Sequence, residues 1–357
     1  MQSDKKIRVL VVDDSAVARQ IIMNGLSSES RIEIVGYAIN ALDAKNKIAR
    51  LKPDVVTMDV EMPGMSGIDF LKQYLPQNPI PVILVSSLNL RVFDALGAGA
   101  VDFVRKPDGT ANRESFLHAL AQKITVASYA KVRRRPLTTA PAAPAAPIAK
   151  PASSLSSSIF THSNYKNHTI IGLGASTGGT EATLDVLKRL PADIPGMVVV
   201  QHMPVGFTKM YAERLNRLCK MEVREAVNGD EIRPGLVLIA PADLQVKVVR
   251  MGERYTVSCF PGEKVSGHRP SVDSLFSSMA SAVKCHMVGI IMTGMGRDGA
   301  QGLLEMRKAG AYTIGQDKES CVVYGMPMVA HDIGAVEIQA SCENIASVLM
   351  THLKSGK

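Results

Sequence analysis

Apolar residues come in short blocks separated by stretches where they recur every three or four positions. Ile7–Val12, Ile32–Ala38, Val55–Met58, Pro81–Val85 and Val101–Val104 are such blocks. Runs like VLVV and VILV are apolar on both faces, as in strands covered on both sides. Between and after them, Ala16–Ser27, Ala41–Leu51, Ile68–Tyr74, Val92–Gly97 and Ser115–Tyr129 carry helical spacing. Five β–α units in alternation predict an α/β domain with a doubly wound, five-stranded parallel sheet.

The alternation stops at 130–165. Prolines at 136, 141, 144, 147 and 151 give way to a serine-rich run. Such a segment buries too little apolar surface to offset its ordering entropy, so it reads as a linker. The pattern then resumes. Thr169–Leu173, Met197–Gln201, Leu236–Ala240, Met287–Met292, Ala311–Gln316 and Ala335–Gln339 read as strands. Thr180–Arg189, Phe207–Cys219, Ser271–Ala282 and Gly299–Ala309 read as helices, and Val246–Val249 with Tyr255–Cys259 reads as a hairpin. The expectation is two domains, 1–129 and 166–357. The second is a mainly parallel, doubly wound α/β domain with an antiparallel hairpin.

Composition narrows the function classes. The 357 residues suit two domains, and 46% hydrophobic content suffices for a core in each. The net charge of +8 is spread along the chain apart from Arg133–Arg135. With no Trp and few aromatic residues, neither a basic binding face nor a stacking platform is indicated, so no nucleic-acid partner is expected. Five scattered cysteines form no C-x-x-C pair, which suits reduced thiols in a cytoplasmic protein. The run after Lys5 and Lys6 is too short for a signal peptide, and no stretch approaches the ~20 apolar residues of a membrane span.

Carboxylates collect where a parallel sheet holds its ligands, at the carboxyl ends of the strands. Asp13 and Asp14 follow the first strand, Asp59 the third, Ser86 the fourth and Lys106 the fifth. Any one such Asp more often caps a turn or helix. Together they predict a site where a hard cation such as Mg²⁺ neutralises crowded carboxylates. Asp59 can then act as nucleophile toward a phosphoryl group, with Lys106 and Ser86 on its oxygens. VVDDS, MDVEMPGMSG, VSS and RKP resemble the receiver domain of bacterial response regulators across roughly residues 5–125. The resemblance implies that Asp59 accepts phosphate from a histidine kinase. It also implies that Asp13, Asp14, Asp59 and the Glu61 carbonyl hold Mg²⁺, and that Ser86, Phe103 and Lys106 form the switch.

The second domain carries a different chemistry. Gly174–Gly178 spells G-x-S-x-G between a predicted strand and helix, the setting of a nucleophile elbow around Ser176. A phosphate-binding turn and a plain capping Ser compete with that reading, although Thr177 breaks the dinucleotide fingerprint. His202 ends the next strand and offers a general base. Asp298 stands before a helix, where it can cap that helix or orient His202. The order Ser, His, Asp differs from the Ser, Asp/Glu, His of α/β-hydrolases.

GASTGG, VVQHMP, HRPSVD, IIMTGMGRDGA and YGMP, within about residues 168–349, resemble the catalytic domain of the chemotaxis protein-glutamate methylesterases. The resemblance implies a serine carboxylic-ester hydrolase with nucleophile Ser176, base His202 and orienting carboxylate Asp298, and no cofactor in this domain. Its substrates would be glutamyl methyl esters and certain glutamines on chemoreceptor cytoplasmic helices, its phosphodonor the chemotaxis histidine kinase. Backbone N–H groups at Thr177 and in the Gly294–Gly296 turn, including Met295, are the expected oxyanion donors. His268-Arg269-Pro270 can position substrate or simply enter a helix. Met203, Met292, Met295, Met326 and Met328 can line a groove or pack in the core. Cys321 reads as a buried thiol. A binding scaffold with a dead site and a transcriptional output remain as other function classes. The intact Ser, His and Asp count against the first, and the missing helix-turn-helix pattern counts against the second.

Overall fold

The computed structural model describes residues 5–86, 91–107, 112–132 and 169–355. The chain divides into two compact units, Met1–Ala140 and Pro141–Lys357. Beyond residue 132 the expected linker lies outside the described residues.

The first unit alternates β1 (Ile7–Val12), α1 (Ala16–Ser27), β2 (Ile32–Ala38), α2 (Ala41–Leu51), β3 (Val55–Asp59), α3 (Gly67–Tyr74), β4 (Val82–Ser86), α4 (Arg91–Gly97), β5 (Asp102–Arg105) and α5 (Arg113–Ala127). The strands form one sheet in the order β2-β1-β3-β4-β5, and every pairing is parallel. β3 and β4 are buried along their whole length, because helices cover both faces of such a sheet. Ser15, Asn40 and Ser66 cap α1, α2 and α3 by accepting backbone N–H bonds. The strand order reverses direction between β1 and β3, so the crevice for a ligand opens beside Asp13 and Asp59.

The second unit runs β6 (Thr169–Ala175), α6 (Gly179–Arg189), β7 (Met197–Gln201), α7 (Phe207–Leu218), β8 (Glu222–Glu225), β9 (Leu236–Ile239), β10 (Gln245–Met251), β11 (Arg254–Phe260), α8 (Val272–Ala282), β12 (His286–Ile291), α9 (Ala300–Lys308), β13 (Tyr312–Gln316), α10 (Met326–Asp332), β14 (Ile338–Ala340) and α11 (Cys342–Ser355). Seven strands form a parallel sheet in the order β14-β13-β12-β6-β7-β9-β8. β10 and β11 make a separate antiparallel hairpin.

β6, β7 and β9 are wholly buried. Val272, Leu275, Phe276 and Met279 of α8 anchor the core beneath the sheet. Each such side chain contributes roughly 1.5–3 kcal/mol by leaving water. Gly172 and Gly174 let β6 approach α8, since a Cβ at Gly174 would stand 2.2 Å from Val272 Cγ1. The sheet reverses direction at β6, with β7 on one side and β12 on the other.

Three elements of this unit have no counterpart among the expected ones. β8 is a four-residue edge strand with only Val223 buried, too short and polar to show a period. α10 is seven residues long with Pro327 in its first turn. α11 does carry helical spacing, with Ile345, Ala346 and Leu349 buried on one face. The expected last strand at 335–339 is displaced to Ile338–Ala340, where pairing with β13 begins.

Candidate active site

Oxygen atoms of Asp13, Asp14 and Asp59 lie within 4.8 Å of one another at the carboxyl end of the first sheet. Asp13 and Asp59 are buried and Asp14 is exposed. Lys106 Nζ lies 2.6 Å from Asp59 Oδ2 and 3.0 Å from Asp13 Oδ2. Burial pushes the Asp59 carboxyl above its usual range, against the pull of the Lys106 bond and charge. Burial works against the Lys106 ammonium, but its bond to Asp59 and the two carboxylates leave it above its ordinary value. Asp59 Oδ1 also accepts the Glu61 N–H at 3.1 Å.

Three close carboxylates of this kind are a hard-oxygen donor set, which fits Mg²⁺. The Ser86 hydroxyl is buried without a hydrogen-bond partner among the described residues. Phe103 is buried and packs edge-on against Phe93, with centroids 6.4 Å apart.

In the second unit, Ser176 follows β6 and is 8% exposed. Its N–H donates to the Thr293 carbonyl at 3.0 Å. Its carbonyl accepts from Gly179 N–H at 2.7 Å and from Gln201 Nε2 at 2.8 Å. Gly178 sits at φ +78°, where a Cβ would meet Val322 at 2.6 Å. The elbow therefore needs glycine for both conformation and space.

His202 follows β7, and its N–H donates to the Ala175 carbonyl at 3.1 Å. Because Ala175 pairs with Gln201, the register of β6 and β7 sets Ser176 and His202 at matching strand ends. His202 Nε2 lies 2.8 Å from Asp298 Oδ2. Its Nδ1 is buried without a hydrogen-bond partner among the described residues. No hydrogen bond joins Ser176 to His202 among the described residues; such bonds often tighten only with substrate present.

Asp298 does not cap the helix that follows it. Gly299 holds that position on α9, in a left-handed conformation. Asp298 instead accepts from the start of α8: Ser271 Oγ at 2.6 Å, Val272 N at 2.8 Å and Asp273 N at 3.0 Å. Burial alone would raise this carboxyl, but the His202 bond and charge, with the Ser271 and Asp273 donors, hold it below the usual range. The N-terminal end of α8 adds a favourable field. Asp273 behind it is shifted the other way, by burial first and also by the Asp298 charge.

Of the expected oxyanion donors, the Gly294 N–H is committed to the Val323 carbonyl at 3.0 Å. The Met295 N–H meets no acceptor among the described residues, and its side chain is 40% exposed. Thr177 is buried, with its carbonyl 3.0 Å from Thr293 Oγ1. The methionines divide: Met292 and Met326 belong to the core, whereas Met295 and Met328 are exposed. Cys321 is buried, and burial pushes the Cys342 thiol up to about 12, leaving it no thiolate character near neutrality.

A family model described as CheB methylesterase matches residues 171–349, and one described as response regulator receiver domain matches residues 9–117. The chain belongs to the CheB methylesterase family. A protein-glutamate methylesterase/protein-glutamine glutaminase 2 of Syntrophomonas wolfei is 49% identical, over 97% of each chain. A protein-glutamate methylesterase/protein-glutamine glutaminase of Syntrophotalea carbinolica is 47% identical, over 96% of each. The crystal structure of the Thermotoga maritima CheB methylesterase catalytic domain is similar with a TM-score of 0.50 and 35% identity. It covers 51% of this chain and 97% of that one.

Within the CheB methylesterase unit, several residues gain a place that motif reading did not assign. Ser271 donates to Asp298 while accepting the Ser274 N–H at 3.3 Å. In sequence it is only a Ser before an apolar helix, and nothing local shows where its proton goes. Gln201 braces the Ser176 carbonyl. Gly325 lies against the Met295 turn: a Cβ there would stand 2.7 Å from Gly294 O and 3.0 Å from Gly296 N. The His268 ring stacks on His202, with centroids 3.8 Å apart and 8° between planes.

Proposed function

We propose that this chain hydrolyses glutamyl γ-methyl esters on methyl-accepting chemotaxis receptors to glutamate and methanol, deamidates receptor glutamines, and does so under phosphorylation control. The observation that carries this reading is the His202–Asp298 pair, its carboxylate held by three further donors from the start of α8, with Ser176 and His202 at matching ends of β6 and β7.

In this reading Ser176 Oγ gives its proton to His202 Nδ1 and attacks the acyl carbon. The resulting oxyanion is met by backbone N–H groups, with Met295 and Thr177 the candidates. The bond to the methoxy oxygen breaks, and that oxygen leaves as methanol with the proton from Nδ1. Water then gives a proton to Nδ1 and attacks the acyl-enzyme. Ser176 recovers the proton, and the product is the glutamate side chain. With a glutamine substrate the leaving group is ammonia and the other steps are unchanged. Asp298 stays ionised and stabilises the imidazolium formed in each half. The metals and cofactors of other hydrolases have no role in these steps.

In the receiver, Asp13, Asp14, Asp59 and the Glu61 carbonyl would hold Mg²⁺, which shields the crowded carboxylates from an incoming phosphoryl group. Asp59 is the phosphoacceptor and the chemotaxis histidine kinase the donor. Lys106 and the unpartnered Ser86 hydroxyl meet the phosphoryl oxygens, and Phe103 reports the change to the surface. The domains in this reading are 1–129 and 166–357, joined by 130–165.

Methanol release from methylated chemoreceptor membranes tests both halves, with and without a small-molecule phosphodonor. Release should require Ser176 and rise with phosphodonor only when Asp59 is present. Equal release by Ser176→Ala would end the esterase reading, and equal stimulation of Asp59→Asn would end the regulatory one.

A further inference from the structure

The segment before α8 is fixed at several points. Val265 and His268 exchange both backbone bonds, at 3.1 and 2.9 Å, across a turn with Ser266 at φ 50° and Gly267 at φ 83°. Gln245 is buried, and its Nε2 donates to the Glu263 carbonyl at 2.8 Å and the His268 carbonyl at 3.1 Å. Its Oε1 accepts the Ser271 N–H at 3.1 Å. Ser266 Oγ donates to Asp273 Oδ2 at 2.7 Å, and Arg269 Nη1 to the Gly262 carbonyl at 2.7 Å. One buried amide thus ties down both flanks of the segment that brings Ser271 to Asp298 and His268 to His202.

The His202 imidazole is held along its plane by a single bond from Nε2 to Asp298. Among the described residues no hydrogen bond holds its Nδ1 edge. That leaves the ring able to tip out of its plane, the motion that would spoil the Nδ1–Ser176 approach the proposed mechanism requires. The His268 ring lies face to face with it at 3.8 Å and 8°, which opposes that motion by van der Waals contact and ring stacking. It also covers one face of the base against water and offers a π-face to the imidazolium formed on proton uptake.

We propose that His268 is a positioning residue for His202, acting through the ring stack rather than by contact with the substrate. The inference rests on the reading of His202 as general base. An aromatic ring of any polarity at this place should serve, and an aliphatic side chain of similar bulk should not.

The experiment compares full-length wild type, His268→Phe and His268→Leu. The half-buried position tolerates either side chain, and near-ultraviolet and far-ultraviolet circular dichroism confirm the fold. Two readouts are taken: kcat and KM for methanol release from methylated receptor membranes, and the low-field proton resonance of the His202–Asp298 hydrogen bond. His268→Leu should lower kcat about 10- to 100-fold, the scale expected when a reacting group is slightly misplaced. KM should stay within about twofold, and the resonance should broaden. His268→Phe should restore most of kcat and the sharp resonance. A kcat unchanged in His268→Leu, a rise in KM alone, or a His268→Phe as slow as His268→Leu would each overturn the proposal. If wild type releases no methanol, the esterase reading fails by itself. The resonance still decides the role of His268, because an undisturbed signal in His268→Leu overturns it.

Discussion

His202 meets Asp298 through Nε2, at 2.8 Å, while its Nδ1 is buried with no hydrogen-bond partner among the described residues. The familiar serine-protease arrangement is the reverse, with the carboxylate on Nδ1 and the serine facing Nε2. In the proposed mechanism both serve the same end: one ring nitrogen is pinned by a carboxylate, so the other is the one that exchanges protons. Asp298→Asn should therefore leave binding intact while lowering kcat on the order of 10⁴-fold, as expected when the ring tautomer is no longer enforced. Steady-state methanol release checks it, and a loss under tenfold would mean that Asp298 does not orient the base.

Asp298 and Asp273 should shape acid stability in opposite directions. Asp298 is held below its ordinary value of 3.8, so its stabilising contribution is complete above that value and disappears as pH falls through the lower folded one. Asp273 is raised, so the folded state takes up its proton first and gains stability as pH falls toward 3.8. Thermal unfolding of the second unit from pH 7 to pH 3 should show a slight rise followed by a fall. Asp273→Asn should remove the rise. Asp298→Asn should cost roughly 3–5 kcal/mol at pH 7, the usual effect of breaking a buried pair. That gap should narrow below pH 3.8. A gap that does not change with pH would show that the Asp298 charge is not what stabilises.

Gly325→Ala should be a catalytic lesion without being a global one. The added Cβ meets backbone, 2.7 Å from Gly294 O and 3.0 Å from Gly296 N, so the turn carrying Met295 must shift. Losing one oxyanion donor costs about 10²- to 10³-fold in kcat. The melting temperature should move only a few degrees. A near-normal kcat would remove the Met295 N–H from the oxyanion site.

Metal removal should separate the two units. Chelating Mg²⁺ should abolish phosphodonor labelling of Asp59, because Asp13, Asp14 and Asp59 then face an incoming anion without shielding. Basal methanol release by the full chain should be unchanged, since Ser176, His202 and Asp298 need no metal in the proposed steps. Radiolabel incorporation and methanol assays on the same samples decide this. Loss of both activities on chelation would refute the division.

Much was legible along the chain because hydrophobic period is local. VLVV, VILV and MVVVQ announce buried strands, and GASTG between a strand and a helix announces an elbow. The residues at strand ends follow directly: Asp59, Ser86, Ser176 and His202 stand where the blocks predict. β8 and α10 escaped because a short edge strand and a seven-residue helix hold too few buried positions to show a period.

What the sequence determined by itself is the order of all elements but β8, α10 and α11, the chemistry offered at each strand end, and the family. Partnership was decided only by tertiary structure. β6 pairs with β12, more than a hundred residues away in the chain, and that pairing brings the Ser176 amide to the Thr293 carbonyl. Along the chain Asp298 could cap its own helix or orient His202; in the fold it meets His202 and receives the N-terminal donors of α8. His268 and Gln245 gave no local sign of their contacts. The physical reason is that periodicity encodes which face of an element is buried, whereas contacts between elements are fixed by non-local strand order and by which buried donors still need an acceptor.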